Sequence, residues 1–141
     1  MDIRKFVKVW HKEILFGLGI FFLALIIRSA KILLDQQPIF GDEAIYIRWA
    51  QIMRAEPTLR FIPLSDGKQP LFMWAIIPLL KIISNPLFAG RIMSTFTGLG
   101  SLVGVFALTQ ILFRSPKSSL LASLVYAISP FSVFFDSMAL V

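Results

Sequence analysis

Asp42 and Glu43 stand side by side in Phe40-Gly41-Asp42-Glu43-Ala44-Ile45-Tyr46, just after a strongly apolar N-terminal stretch. Only eight of the 141 residues are acidic, so an adjacent pair at the edge of an apolar segment invites a chemical reading. A carboxylate placed there can act as a base, hold a metal or bind a substrate hydroxyl. The competing structural reading makes Asp42 the N-cap of an interfacial helix and puts Glu43 in its first turn. A second cluster is Asp66-Gly67-Lys68-Gln69-Pro70-Leu71. Lys68 sits in a turn before another apolar run, where its compact ammonium can meet phosphate oxygens. The same placement also suits a plain interface anchor for any lipid headgroup. Arg91, leading into an apolar stretch, reads as an anchor of that kind, and Asp136 reads as a polar helix end.

The elements that would position these residues belong to a membrane protein. The sequence is 57% hydrophobic with a mean hydropathy of +0.78, well above the soluble average. It contains no cysteine, which excludes disulfides, thiolate metal sites and cysteine nucleophiles. One histidine, His11, cannot build an imidazole metal site alone. The net charge of +6 is spread along the chain, without the basic patch and fold that nucleic acid binding needs; basic residues flanking apolar spans mark topology instead.

Three stretches qualify as spans of about twenty residues. They are residues 14–34, ending in Arg28 and Lys31, which can snorkel to the interface; residues 92–113, with no charge; and residues 118–135, with Pro130 near the exit. Arg4, Lys5, Lys8 and Lys12 give the first span a signal-peptide-like basic start, but Arg28 interrupts the candidate cleavage site at Ser29-Ala30, so it reads as an uncleaved anchor. The basic N-terminus predicts a cytoplasmic start, and Arg114 with Lys117 then fall in a cytoplasmic loop. The outer loop, residues 35–91, follows the first span; the stretch from Arg28 to Arg91 carries eight Lys and Arg and five acids, so the charge rule is not clean.

Within that loop, residues 44–55 predict an amphipathic helix, with Ile45, Trp49 and Ile52 as its apolar stripe. Residues 57–69 are rich in turn signals. The thirteen-residue apolar run 71–83, broken by Pro78, predicts an interfacial or re-entrant helix, with a fourth crossing as the alternative. Gly100-x-x-x-Gly104 predicts close packing inside a helical bundle. The expected fold is all-α, with polytopic transmembrane helices and interfacial helices in the first extracytoplasmic loop. The abrupt apolar end at Ala139-Leu140-Val141 predicts the N-terminal portion of a longer membrane protein.

The order of these features carries a resemblance. An N-terminal span is followed by Gly-Asp-Glu-x-x-Tyr, an amphipathic helix, a Lys-x-Pro-Leu turn and a short apolar helix; then come an Arg-led span, a basic loop and a third span leading into Ser137-x-Ala139-Leu140. From Phe40 to Val141, and by position in the first span, this resembles the start of the polyprenyl-phosphate-sugar-dependent glycosyltransferases of the GT-C superfamily. Protein O-mannosyltransferases and bacterial lipid A aminoarabinose transferases are the nearest look-alikes.

The resemblance implies an inverting glycosyltransferase that moves a sugar from a polyprenyl-phosphate donor to a lipid, glycan or protein acceptor on the extracytoplasmic side, in a bacterial inner or cell membrane. It implies that Asp42 is the catalytic carboxylate, Glu43 its support and Lys68 the contact to the donor phosphate. The family's common Lys-Pro-Pro reads Lys68-Gln69-Pro70 here, which leaves the turn geometry open. Its second outer-loop carboxylate would fall beyond Val141, and Asp136 does not replace it. No cofactor is evident beyond the lipid-linked donor as substrate; a divalent metal is compatible with that chemistry, but no residue pattern indicates one. The absence of a nucleotide-binding fingerprint fits such a donor. The alternative is a small membrane scaffold or transporter fragment without catalytic activity.

Overall fold

The computed structural model describes residues 3–34 and 38–140, with side chains from His11 onward. Residues 35–37 of the predicted outer loop, the side chains of Arg4, Lys5 and Lys8, and Val141 lie outside the described residues. All regular structure among the described residues is helical: α1 (Ile3–Leu34), α2 (Gly41–Ala55), α3 (Leu71–Leu79), α4 (Pro86–Phe113), α5 (Pro116–Ile128) and α6 (Pro130–Phe135), with short 3₁₀ turns at Pro57–Leu59 and Ile62–Asp66.

Two helices are long and apolar enough to cross a membrane, over His11–Leu34 and Pro86–Phe113. Only 11% and 17% of their apolar windows are buried, unlike the core helices of a soluble domain, which bury most of their apolar surface. Phe16 (68% exposed) on α1 and Ile111 (73%) on α4 point outward.

Proline and cap chemistry set the helix boundaries. Asn85 caps α4 by accepting from the Leu87 and Phe88 N–H groups at 3.0 and 3.2 Å, and Pro86 takes the first helical position, where its missing N–H costs nothing. The helix therefore begins six residues before the predicted span, and Arg91 lies inside it. At the other end Arg114 adopts a left-handed backbone with φ 49. Ser115 and Pro116 then start α5.

The third predicted span, residues 118–135, is not one helix. Pro130 has no N–H for the ladder and holds Ser129 extended, at ψ 123. The stretch divides into thirteen-residue α5 and six-residue α6. The run 71–83 likewise shortens to nine-residue α3, about 14 Å long, less than half of a bilayer crossing.

Two cores result. Ala24, Leu99, Leu102 and Ala127 join α1, α4 and α5. The segment between α1 and α4 has its own core, in which Tyr46, Ile47, Ala50 and Met53 of α2 meet Phe72, Met73 and Ile76 of α3 with Ala89 and Ala139. The buried face of α2 is thus 43-46-47-50-53, and the predicted stripe turns the other way: Ile45 is exposed, and Trp49 and Ile52 are half-buried. Helix α2 has apolar residues on both sides, and α3 takes the face that also carries Glu43.

Gly100 and Gly104 also depart from expectation. Both are exposed, with nothing near a Cβ placed on either. The close approach occurs at Gly98, where a Cβ would collide with the Asp136 carboxyl group, and at Gly90, where it would come 2.8 Å from the Ala139 Cβ.

Candidate functional site

The two adjacent carboxylates have opposite environments. Helix α2 begins at Gly41 with Phe40 as its N-cap, so Asp42 is the second helical residue and not the cap. Its side chain is exposed, and among the described residues it makes no hydrogen bond. Glu43, one residue on, rotates inward and is completely buried.

Burial alone would push the Glu43 carboxyl up. Four donors outweigh it and hold the group below the ordinary carboxylate value. Arg91 donates through Nε to Oε1 and through Nη2 to Oε2, each at 3.0 Å. The Ala139 N–H reaches Oε1 at 2.8 Å, and the Phe40 N–H reaches Oε2 at 3.1 Å, closing the first turn of α2. Each oxygen accepts two bonds, so the carboxylate is saturated. Glu43 has no lone pair to offer a substrate; its supporting role is to fix the start of α2 against α4 and the Ala139 backbone. Arg91 is correspondingly a buried structural partner, not an interface anchor.

Lys68 comes back to this helix start from the loop. Gly67 takes the left-handed conformation at φ 68, and the Lys68 N–H bonds the Pro63 carbonyl at 3.0 Å, which turns the side chain toward α2. Its ammonium lies 5.8 Å from the centroid of the Tyr46 ring. Hydrogen bonding and attraction to the Tyr46 oxygen raise its pKa above the usual lysine value, and the Asp42 and Asp66 charges add to that against slight desolvation. Tyr46 lies one turn beyond Asp42, on the same side of the helix. An exposed carboxylate, a phenol and an exposed ammonium therefore share one patch. The carboxylate can accept a proton or hold a hydroxyl, and the ammonium can hold an anion.

A second buried ion pair, not foreseen from the sequence, lies among α1, α4 and the α5–α6 break. Arg28 does not snorkel; it is fully buried. It donates through Nε and Nη2 to Asp136 Oδ2 at 2.9 and 2.7 Å. Its Nη1 donates to the Ala24 and Ala127 carbonyls at 3.3 and 3.2 Å. The break at Pro130 leaves carbonyls at the end of α5 without ladder donors, and Arg28 supplies one. Tyr126 donates to Asp136 Oδ2 at 3.1 Å. The signal in the sequence is a charge near the end of each of two apolar stretches, Arg28 within residues 14–34 and Asp136 just after residues 118–135.

Among the described residues no three His, Asp or Glu side chains gather as a metal site would require. Comparison with family models, curated proteins and solved structures gives no match to this chain.

Proposed function

We propose that the chain forms the acceptor- and donor-facing start of a multi-pass membrane glycosyltransferase. Its N-terminus lies in the cytoplasm, and α2, the turn-rich loop and α3 lie at the extracytoplasmic surface. The sugar comes from a polyprenyl-phosphate donor. Asp42 receives the acceptor's proton as its oxygen attacks the anomeric carbon, and Lys68 stabilises the departing phosphate. Attack opposite the leaving group inverts the anomeric configuration.

The observation that carries this reading is the convergence of Lys68 with Asp42 across Tyr46. A single patch beside two apolar helices then offers both charges the reaction needs. The order of motifs that resembles the GT-C enzymes supplies the choice of reaction; the geometry alone would equally suit binding of another phosphate-bearing lipid.

The test is sugar transfer by the full-length protein in membranes carrying Asp42→Asn or Lys68→Ala. Asp42→Asn should lower kcat by about 10²-fold or more at unchanged expression, and Lys68→Ala should raise the donor KM. Unchanged transfer in Asp42→Asn removes the assigned role and leaves the scaffold or transporter reading.

A further inference from the structure

A cavity of about 600 Å³ lies between the N-terminal half of α1, the C-terminal half of α4 and the first half of α5. It is at the end of the bundle remote in sequence from Asp42 and Lys68. Leu18, Phe21, Leu102 and Val103 make most of its wall apolar, and its volume is within the range of about 300–1,000 Å³ of ligand sites.

Two observations set it apart from an ordinary groove between helices. Ser123 lines it, is only 4% exposed, and its Oγ has no hydrogen-bond partner among the described residues. A buried hydroxyl without a partner is unfavourable, and a ligand acceptor removes that penalty. Charge gathers at the same end: Lys12, Arg114 and Lys117 are all exposed, each within four residues of the lining residues Glu13, Gln110 and Leu120. Glu13 offsets one of these three cations. A neighbouring groove of about 500 Å³ on the other side of α1, lined by Leu15, Phe16, Leu23 and Leu124 among others, has no polar side chain.

We infer that the α1–α4–α5 cavity binds one anionic phospholipid, with an acyl chain against the Leu18–Val103 wall and the phosphate held by Lys12, Arg114 and Lys117. Ser123 lies six residues beyond Lys117, about 9 Å along the helix axis. That depth places its hydroxyl below the phosphate, where it donates a hydrogen bond to an ester carbonyl. Three basic side chains near a membrane surface favour anionic over zwitterionic headgroups. The inference rests on α1 and α4 being embedded in lipid and is independent of sugar transfer.

The experiment uses the full chain in nanodiscs of phosphatidylcholine with a minor fraction of phosphatidylglycerol, and native mass spectrometry counts the lipids retained. The wild type should keep one phosphatidylglycerol, enriched about tenfold over its bulk share. Val103→Trp on α4 and Leu18→Trp on α1, which fill the cavity from exposed positions, should each abolish retention at unchanged helicity. The triple variant Lys12→Gln, Arg114→Gln, Lys117→Gln should erase the preference for the anionic lipid. Retention in bulk proportion overturns the proposal. So does enrichment that survives both tryptophan variants, because the lipid would then be held by surface charge alone, and so does a dimer that appears with lipid loss. A chain that does not enter the disc refutes the membrane reading on which the site rests.

Discussion

Removing half of the Glu43–Arg91 pair should cost more stability than any other single side-chain truncation between α1 and α4. Arg91 gives Glu43 two bonds at 3.0 Å in a site where the carboxylate is completely buried. Each charge-assisted bond contributes about 1.5–3 kcal/mol, and stranding one member of a buried pair costs about 3–5 kcal/mol. Glu43→Gln and Arg91→Met should therefore each destabilise by about 3–5 kcal/mol, whereas the double variant should cost about 2–3 kcal/mol less than their sum. Trp49 on α2 and Trp74 on α3 sit against the α2–α3 core, so in a Trp10→Phe background tryptophan emission during urea unfolding in micelles reports on this segment. Acid supplies an independent check. The Glu43 carboxyl is held below its ordinary value of 4.5, so its contribution is complete above that value and is lost as pH falls through the lower folded-state value. Glu43→Gln should flatten that acid limb. Single losses under about 1 kcal/mol, or a double variant equal to the sum, would refute the idea that this pair fixes the start of α2.

Gly98→Ala should destabilise by about 1–3 kcal/mol, since its Cβ meets the Asp136 carboxyl group, whereas Gly100→Ala and Gly104→Ala, with open space around them, should stay within about 0.5 kcal/mol; melting in micelles reads the contrast, and equal losses at all three would contradict the packing. Arg28→Lys should lose most of what Arg28→Met loses, because one ammonium cannot reach Asp136 and both the Ala24 and Ala127 carbonyls in the fork geometry of a guanidinium; full rescue by lysine in the same melts would show that charge alone matters there.

The predicted helix over residues 44–55 does lie within α2. The predicted spans begin at residues 92 and 118, later than the helices do, because the start signals Asn85-Pro86 and Ser115-Pro116 lie outside the apolar runs that define a span. Periodicity misled on α2, because Ile45, Trp49 and Ile52 are as apolar as the residues that face α3; only the tertiary partner decides which side is buried. Pro130 was visible, but its effect was not: a proline near a span end permits a kink, an exit or a break, and the break here is accommodated by Arg28, 99 residues away from the carbonyl it reaches. The acidic pair was legible as special, but not its division of labour. A turn of about 100° between neighbours on a helix sends Glu43 into the core and leaves Asp42 outside, and nothing in the dipeptide says which is which.

The residues from Asp136 to Ala139 tie the two halves of the molecule together. The Asp136 side chain holds Arg28 of α1, its carbonyl accepts from Thr95 Oγ1 of α4 at 3.2 Å, and three residues later the Ala139 N–H enters the Glu43 carboxylate. Ala139 itself fits because Gly90 has no side chain to oppose it. A shift of these turn residues after α6 would therefore reach α2 through a hydrogen bond to a saturated carboxylate. The exposed Asp42 and Lys68 gain their fixed relation to the long apolar helices from two buried ion pairs, Glu43–Arg91 and Arg28–Asp136. Because all four lone-pair positions of Glu43 are engaged, the exposed carboxylate one residue before it projects from a fixed helix start and not from a free loop.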